Sequence, residues 1–173
     1  MNSVRLETKS GMHSDQPHLL HIYLRDHEAA AVGGVQLFRR CCKANRGTAY
    51  AAELHRLTDQ VRSQRDALRS ICRQFGVKYS NVGRAVAYTG ATLGRFKPNG
   101  RAFHYSPLSR VIELEALSSA VTSQARLWES LLRLSAVEAC LDEADLTRHA
   151  SEANDQLDAL RRLHDMAADE AFR

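Results

Sequence analysis

From His18 onward the apolar side chains return at intervals of three and four: Leu20, Tyr23, Leu24, His27, Ala30, Ala31, Gly34, Val35, Phe38, Cys41 and Cys42. That spacing is one face of an α-helix. It predicts a long first helix with Pro17 in its opening turn, ending near Asn45-Arg46-Gly47, where glycine is the stop. Thr48 is placed to cap a second helix, whose stripe is Leu54, Leu57, Val61, Leu68, Ile71, Cys72 and Phe75, closed by Gly76. Ser80 or Asn81 opens a shorter segment through Val82, Val86 and Leu93. Gly83, Gly90 and Gly94 weaken it as a helix by ~1 kcal/mol each relative to alanine. Lys97-Pro98-Asn99-Gly100 is a turn by its chemistry. Ser106-Pro107 opens the next long helix, with serine as cap and proline first in the helix, and Leu114, Leu117, Val121, Trp128, Leu131 and Leu132 follow. After a break near Cys140–Ala144, a last helix starts at Asp145 or Thr147, with Leu146, Ala150, Ala153, Leu157, Leu160, Leu163, Ala167 and Ala168 on its stripe.

Four long amphipathic helices thus pair as two hairpins, separated by a long connection from Gly76 to Tyr105. Short, long, short is the connectivity of a bundle with one crossover, the ferritin-like arrangement. The expected fold is all-α: a ferritin-like antiparallel four-helix bundle whose crossover holds a short extra helix. Residues 18–173 form its single domain, and residues 1–17 a flexible polar tail. With 173 residues, 44% apolar and 25% charged, the chain is globular and large enough to bury a core without staples. Three prolines, nine glycines and 6% aromatic residues argue against a β-sandwich or barrel.

Charge is unevenly placed. The formal net charge is +4. No acid lies between Asp66 and Glu113, a stretch that holds Arg69, Arg73, Lys78, Arg84, Arg95, Lys97, Arg101 and Arg110. From Glu129 onward, 11 acids stand against 5 arginines. A basic middle and an acidic end mark either an anionic partner or two parts of the fold that face one another. Cys41, Cys42, Cys72 and Cys140 show no Cys-x-x-Cys spacing and are expected as free thiols in a reducing cytosol. Met1 to Pro17 contain no apolar h-region, and no apolar run approaches a membrane span. No signal peptide and no membrane association are expected, and the localisation is cytoplasmic.

Bundles build their sites from polar side chains on the inner stripe. Here these are His27, Gln64, Arg65, Arg110, Gln124, His149, Gln156 and His164, with Glu53 and Glu113 at the margin. With the first and third helices running up and the second and fourth down, His27, Gln64, Arg65, Glu113 and His164 share one depth. A His–Glu–His set binds a divalent metal such as iron or zinc. The alternative is that these groups pair with one another, as buried polar groups must. Arg65 in the same layer repels a dication, and no metal or other cofactor is expected.

Asp26-His27-Glu28 inside the first helix, the glycine-containing crossover and Ser106-Pro107-Leu108-Ser109-Arg110-Val111-Ile112-Glu113-Leu114-Glu115 together resemble an actinobacterial group of ferritin-like four-helix proteins of unsettled function. The resemblance covers roughly residues 18–172. It implies a bundle in which di-iron members carry a lone Glu on the first and third helices and Glu-x-x-His on the second and fourth. Glu28 and Glu113 match the lone positions, but no Glu-x-x-His occurs in the chain. Asp59-x-x-Arg62 and Glu152-x-x-Asp155 are the nearest approaches. The fold carries over; the ferroxidase or oxygenase chemistry does not follow.

Phosphate-loop, dinucleotide and nucleophile-elbow motifs are absent. Arg84, Arg95, Lys97, Arg101 and Arg110 alternate with Tyr88, Phe96, Phe103, His104 and Tyr105, the mixture that an anionic ligand or a single strand uses. A protein or small anion is the partner this suggests, since no recognised nucleic-acid motif is present. The other reading lays the crossover over the bundle, with its aromatics underneath and its arginines paired to the acidic fourth helix. The expected function is a non-enzymatic binding or structural role in a two-fold homodimer, with the metal site lost. The alternatives are a divergent iron-binding oxidase or iron-handling protein using His27, Glu28, Glu113 and His164, and a basic anion- or nucleic-acid-binding module.

Overall fold

Each apolar stripe becomes a helix. In the computed structural model the described residues are 16–77 and 105–173. They form α1 (Gln16–Ala44), α2 (Ala51–Gln74), α3 (Pro107–Leu134) and α4 (Glu143–Phe172), with no strand among them. Ser106 caps α3 as expected: its extended backbone turns the hydroxyl onto the Ser109 N–H, and Pro107 fills the first helical position. Gly76 ends α2 in a left-handed conformation, φ +64°, letting Val77 N–H reach the Cys72 carbonyl and Gly76 N–H the Arg73 carbonyl. Two boundaries differ from expectation. Thr48 lies outside α2 and bonds within the turn, to Asn45 O and Tyr50 N. The cap of α4 is Asp142, whose carboxylate accepts from Asp145 N, so the helix starts ahead of Asp145 and Thr147.

The helix directions follow from which residues meet. Tyr23 on α1 donates to Ser130 on α3, while Arg40 further along α1 pairs with Glu113 near the start of α3. These two helices are therefore antiparallel, not parallel as the depth argument required. Arg65 meets Glu28, Gln64 meets Glu152, and Trp128 meets His149 while Arg110 meets Glu170. All four neighbouring pairs thus run antiparallel, and α2 and α3 run the same way. The last turn of α2 lies against Leu24, where Cys72 Sγ approaches the carbonyl. Tyr105, just ahead of α3, bonds Asn45 at the opposite end of α1. Residues 78–104 link these two ends and lie outside the described residues, and with them the expected short helix.

The core is continuous, with Trp128, Tyr50, Phe38 and Leu residues of every helix fully buried. Packing is uneven. Ala125 on α3 and Ala153, Ala159 and Ala167 on α4 are buried, and the two helices make the most extensive contact in the bundle. The α1–α3 contact is slighter, and α2–α4 slighter still. Among the described residues no helix is long and apolar enough to cross a membrane.

Candidate functional site

The four residues considered for metal are not brought together. Glu28 is buried on α1, with Arg65 at 3.5 Å and Arg69 at 3.6 Å. Glu113 meets Arg40 at 2.8 Å and the Tyr105 hydroxyl at 2.9 Å, rather than Arg65. Glu28 and Arg40, the α1 partner of Glu113, are twelve residues apart, ~18 Å along a helix at 1.5 Å per residue. His164 faces Glu115 at 3.4 Å, and His27 packs on the Tyr23 ring at 4.4 Å. Because α3 runs against α1, Glu113 sits at the far end from Glu28. Among the described residues no three His, Cys, Asp or Glu side chains are placed to hold a metal ion.

Arg110, counted with the basic crossover, does other work. Its Nε donates to Asn45 Oδ1 at 2.7 Å and its Nη1 pairs with Glu170 at 2.5 Å. The guanidinium lies 4.3 Å from the Tyr50 ring centroid and 5.6 Å from that of Tyr105. Asn45, fully buried, donates to the Cys41 carbonyl and the Tyr105 hydroxyl, and Tyr105 donates to Glu113. Residues next to the ends of all four helices are joined here. Burial and the Glu113 charge push the Cys41 thiol up to about 12, so it stays protonated and unreactive. Arg84, Arg95, Lys97 and Arg101 lie outside the described residues.

A second polar set crosses the middle of the bundle. Gln64 on α2 donates through Nε2 to Glu152 Oε2 at 3.0 Å and to the His149 carbonyl at 3.3 Å. Its Oε1 accepts from Nε2 of Gln124 on α3. Arg148 donates to the other Glu152 oxygen at 3.0 Å. Burial raises the Glu152 pKa, but the Gln64 and Arg148 hydrogen bonds outweigh it and hold the group below its usual value. His149 is buried against Trp128, ring centroids 4.7 Å apart, and burial with the Arg148 charge lowers its pKa. It is a neutral imidazole at pH 7. Gln156, fully buried, has neither amide atom hydrogen-bonded. The sequence placed Gln64, Gln124, His149 and Gln156 inward. It missed the His149-x-x-Glu152 pair, visible as an i, i+3 spacing on the same face.

On one side this network opens into a crevice. Between α1 and α3 lies a cavity of about 210 Å³, reaching Val61 and Leu68 of α2 at its floor. Its walls are His27, Ala30, Ala31, Gly34, Leu37 and Phe38 from α1 and Ala116, Ser119, Ala120, Val121, Ser123, Gln124 and Leu127 from α3. Small side chains on both facing stripes explain the space: α1 and α3 have too little volume between them to fill it. The sequence holds that signal in Ala30, Ala31 and Gly34 opposite Ala116 and Ala120. Burial lowers the pKa of His27, so the imidazole at the cavity wall is neutral as well. A more open hollow of about 410 Å³ lies across the bundle, between α2 and the start of α4, lined by Ser63, Ser70, Gln74, Asp142, Asp145, Arg148 and His149 among others. Comparison of the chain with protein-family models, with curated proteins and with solved structures finds no match.

Proposed function

We propose that this chain is a ferritin-like bundle with a non-enzymatic binding role, its ligand held in the crevice between α1 and α3. The observation that carries the reading is the crevice itself, an apolar cavity walled by two helices and floored by a third, with a few polar groups. Such a pocket is the default binding site in a helical bundle. The antiparallel neighbours and the opposite-end positions of Val77 and Tyr105 support the ferritin-like arrangement and its crossover. The loss of di-iron chemistry is supported by what stands on the inner face. Glu28 is neutralised by arginines, and amides of Gln64 and Gln124 occupy the centre.

The size fits a ring rather than a long chain, since an apolar cavity of about 150 Å³ takes up benzene. Toluene is a suitable probe. Saturable binding that disappears in both Ala30→Leu and Ala116→Leu, with helicity retained, is the expected result. Binding that neither substitution weakens places the site elsewhere and defeats the reading.

A further inference from the structure

We infer that the crevice selects ligands carrying a hydrogen-bond donor, a hydroxyl or ring N–H on a small apolar body, and that Gln124 Oε1 receives that donor. This rests on the crevice being the binding site. Hydrogen-bond direction fixes which end of Gln124 is left over. An amide can be turned end for end, but a carboxylate only accepts. Glu152 takes bonds from Gln64 Nε2 at 3.0 Å and from Arg148 at 3.0 Å. Gln64 must therefore keep its N–H end toward Glu152, where the His149 carbonyl, also an acceptor, holds it a second time at 3.3 Å. Its oxygen is left facing α3. Gln124 then has to offer Nε2 to that oxygen. Its own oxygen is the end left over, and Gln124 lines the crevice.

A carboxylate on α4 thus fixes the polarity of a group on the opposite side of the bundle. Reversing Gln124 would set two oxygens against each other; reversing both amides would set an oxygen against Glu152. Neither rearrangement is open while Glu152 is ionised. Ser119, whose hydroxyl donates to the Glu115 carbonyl, keeps its lone pairs, and the His27 imidazole also has an acceptor nitrogen on this wall, so the Gln124→Met variant below is what assigns the donor to Gln124. A ligand that hydrogen-bonds to this oxygen is discriminated from one that leaves it unpaired in an apolar pocket.

Indole and N-methylindole differ by one donor and little shape, so their affinities can be compared by titration calorimetry on the full chain. The expected result is at least tenfold tighter binding of indole, falling to about equal binding in Gln124→Met, which keeps the side-chain length. Glu152→Gln, which makes position 152 able to donate and frees both amides to turn, should also narrow the ratio. Helicity and urea midpoint of each variant show that the bundle is intact. If toluene binds but indole and N-methylindole bind alike, the donor inference fails and the crevice reading stands. Indole preference that persists undiminished in Gln124→Met also overturns it, placing the acceptor elsewhere. If none of the three binds the intact chain, both fail.

Discussion

Arg110 lies over the Tyr50 ring at 4.3 Å and gives its Nε to Asn45 at 2.7 Å. Through these contacts and Glu170, one guanidinium ties the turn after α1, the start of α2 and the end of α4 to the first turn of α3. The partners differ in exposure: Asn45 is fully buried, while the Glu170 side chain is 47% exposed. Removal of the arginine therefore hurts mainly at Asn45, whose oxygen would be left unpaired out of reach of water. Arg110→Met is expected to cost about 2–3 kcal/mol, and Glu170→Gln less than about 1 kcal/mol, in urea unfolding. Equal losses in the two variants would contradict this division.

The central glutamines make an opposed pair of predictions. Gln156 is buried with both amide atoms unpaired, whereas Gln64 bonds to Glu152 and Gln124. An unsatisfied buried amide is a cost that an apolar side chain of the same length removes. Gln156→Met should raise the stability by about 1 kcal/mol. Gln64→Met should lower it by about 1–3 kcal/mol, since it strips a partner from each neighbour. The two changes are chemically the same, so only their surroundings can give them opposite signs.

Gly34 is a helical glycine facing α3, and a β-carbon there would meet only Ala120 Cβ, at 3.9 Å. That is ordinary van der Waals contact. Gly34→Ala should therefore stabilise by about 0.5–1 kcal/mol through reduced freedom of the unfolded chain. The urea midpoint should rise with an unchanged slope. A fall would mean that the α1–α3 seam is tighter than its small side chains make it.

Acid should loosen the fold in a defined window. Burial lowers the pKa of His27 against the raising effect of Asp26. Burial also lowers that of His149, with Arg148 adding to it and Glu152 and Asp145 opposing it. Both groups then have folded values below 6.5, and the unfolded chain takes up the protons first. Stability is therefore full above that value and declines as the pH falls below it. Glu152, also lowered, adds a further loss as the pH falls through its folded value, below 4.5. Thermal midpoints from pH 8 to pH 5 should show the decline, and His149→Gln should flatten its upper part.

How much of this was legible depends on the range of the interaction. Stripes, the Ser106 cap and the Gly76 stop are local, and period and turn chemistry determine them. Burial of Gln64, Gln156 and His149 followed from helical angle alone. The direction of α3 did not, because nothing within a helix's own sequence says which end the preceding connection delivers. With α3 reversed, Glu113 moves from the level of Arg65 to that of Arg40, and the supposed shared layer dissolves. Arg110 was legible only in part: pairing of the basic stretch with the acidic fourth helix is what Glu170 provides for it, but Asn45 and Tyr50 lie far from it in sequence and meet it only once the ends are assembled. The α4 cap was a choice among Asp142, Asp145 and Thr147, all competent side chains; Asp142 takes it, and Leu141 beside it is buried.

The central claim, that the α1–α3 crevice binds a small apolar molecule, is tested most directly by methyl-resolved NMR of alanine-labelled protein titrated with indole. The account predicts saturable shifts at Ala30, Ala31, Ala116 and Ala120, which line the crevice, with Ala153 and Ala159, buried on α4 and outside its lining, unmoved. Shifts absent from the first four, or concentrated at the two α4 alanines, would contradict it.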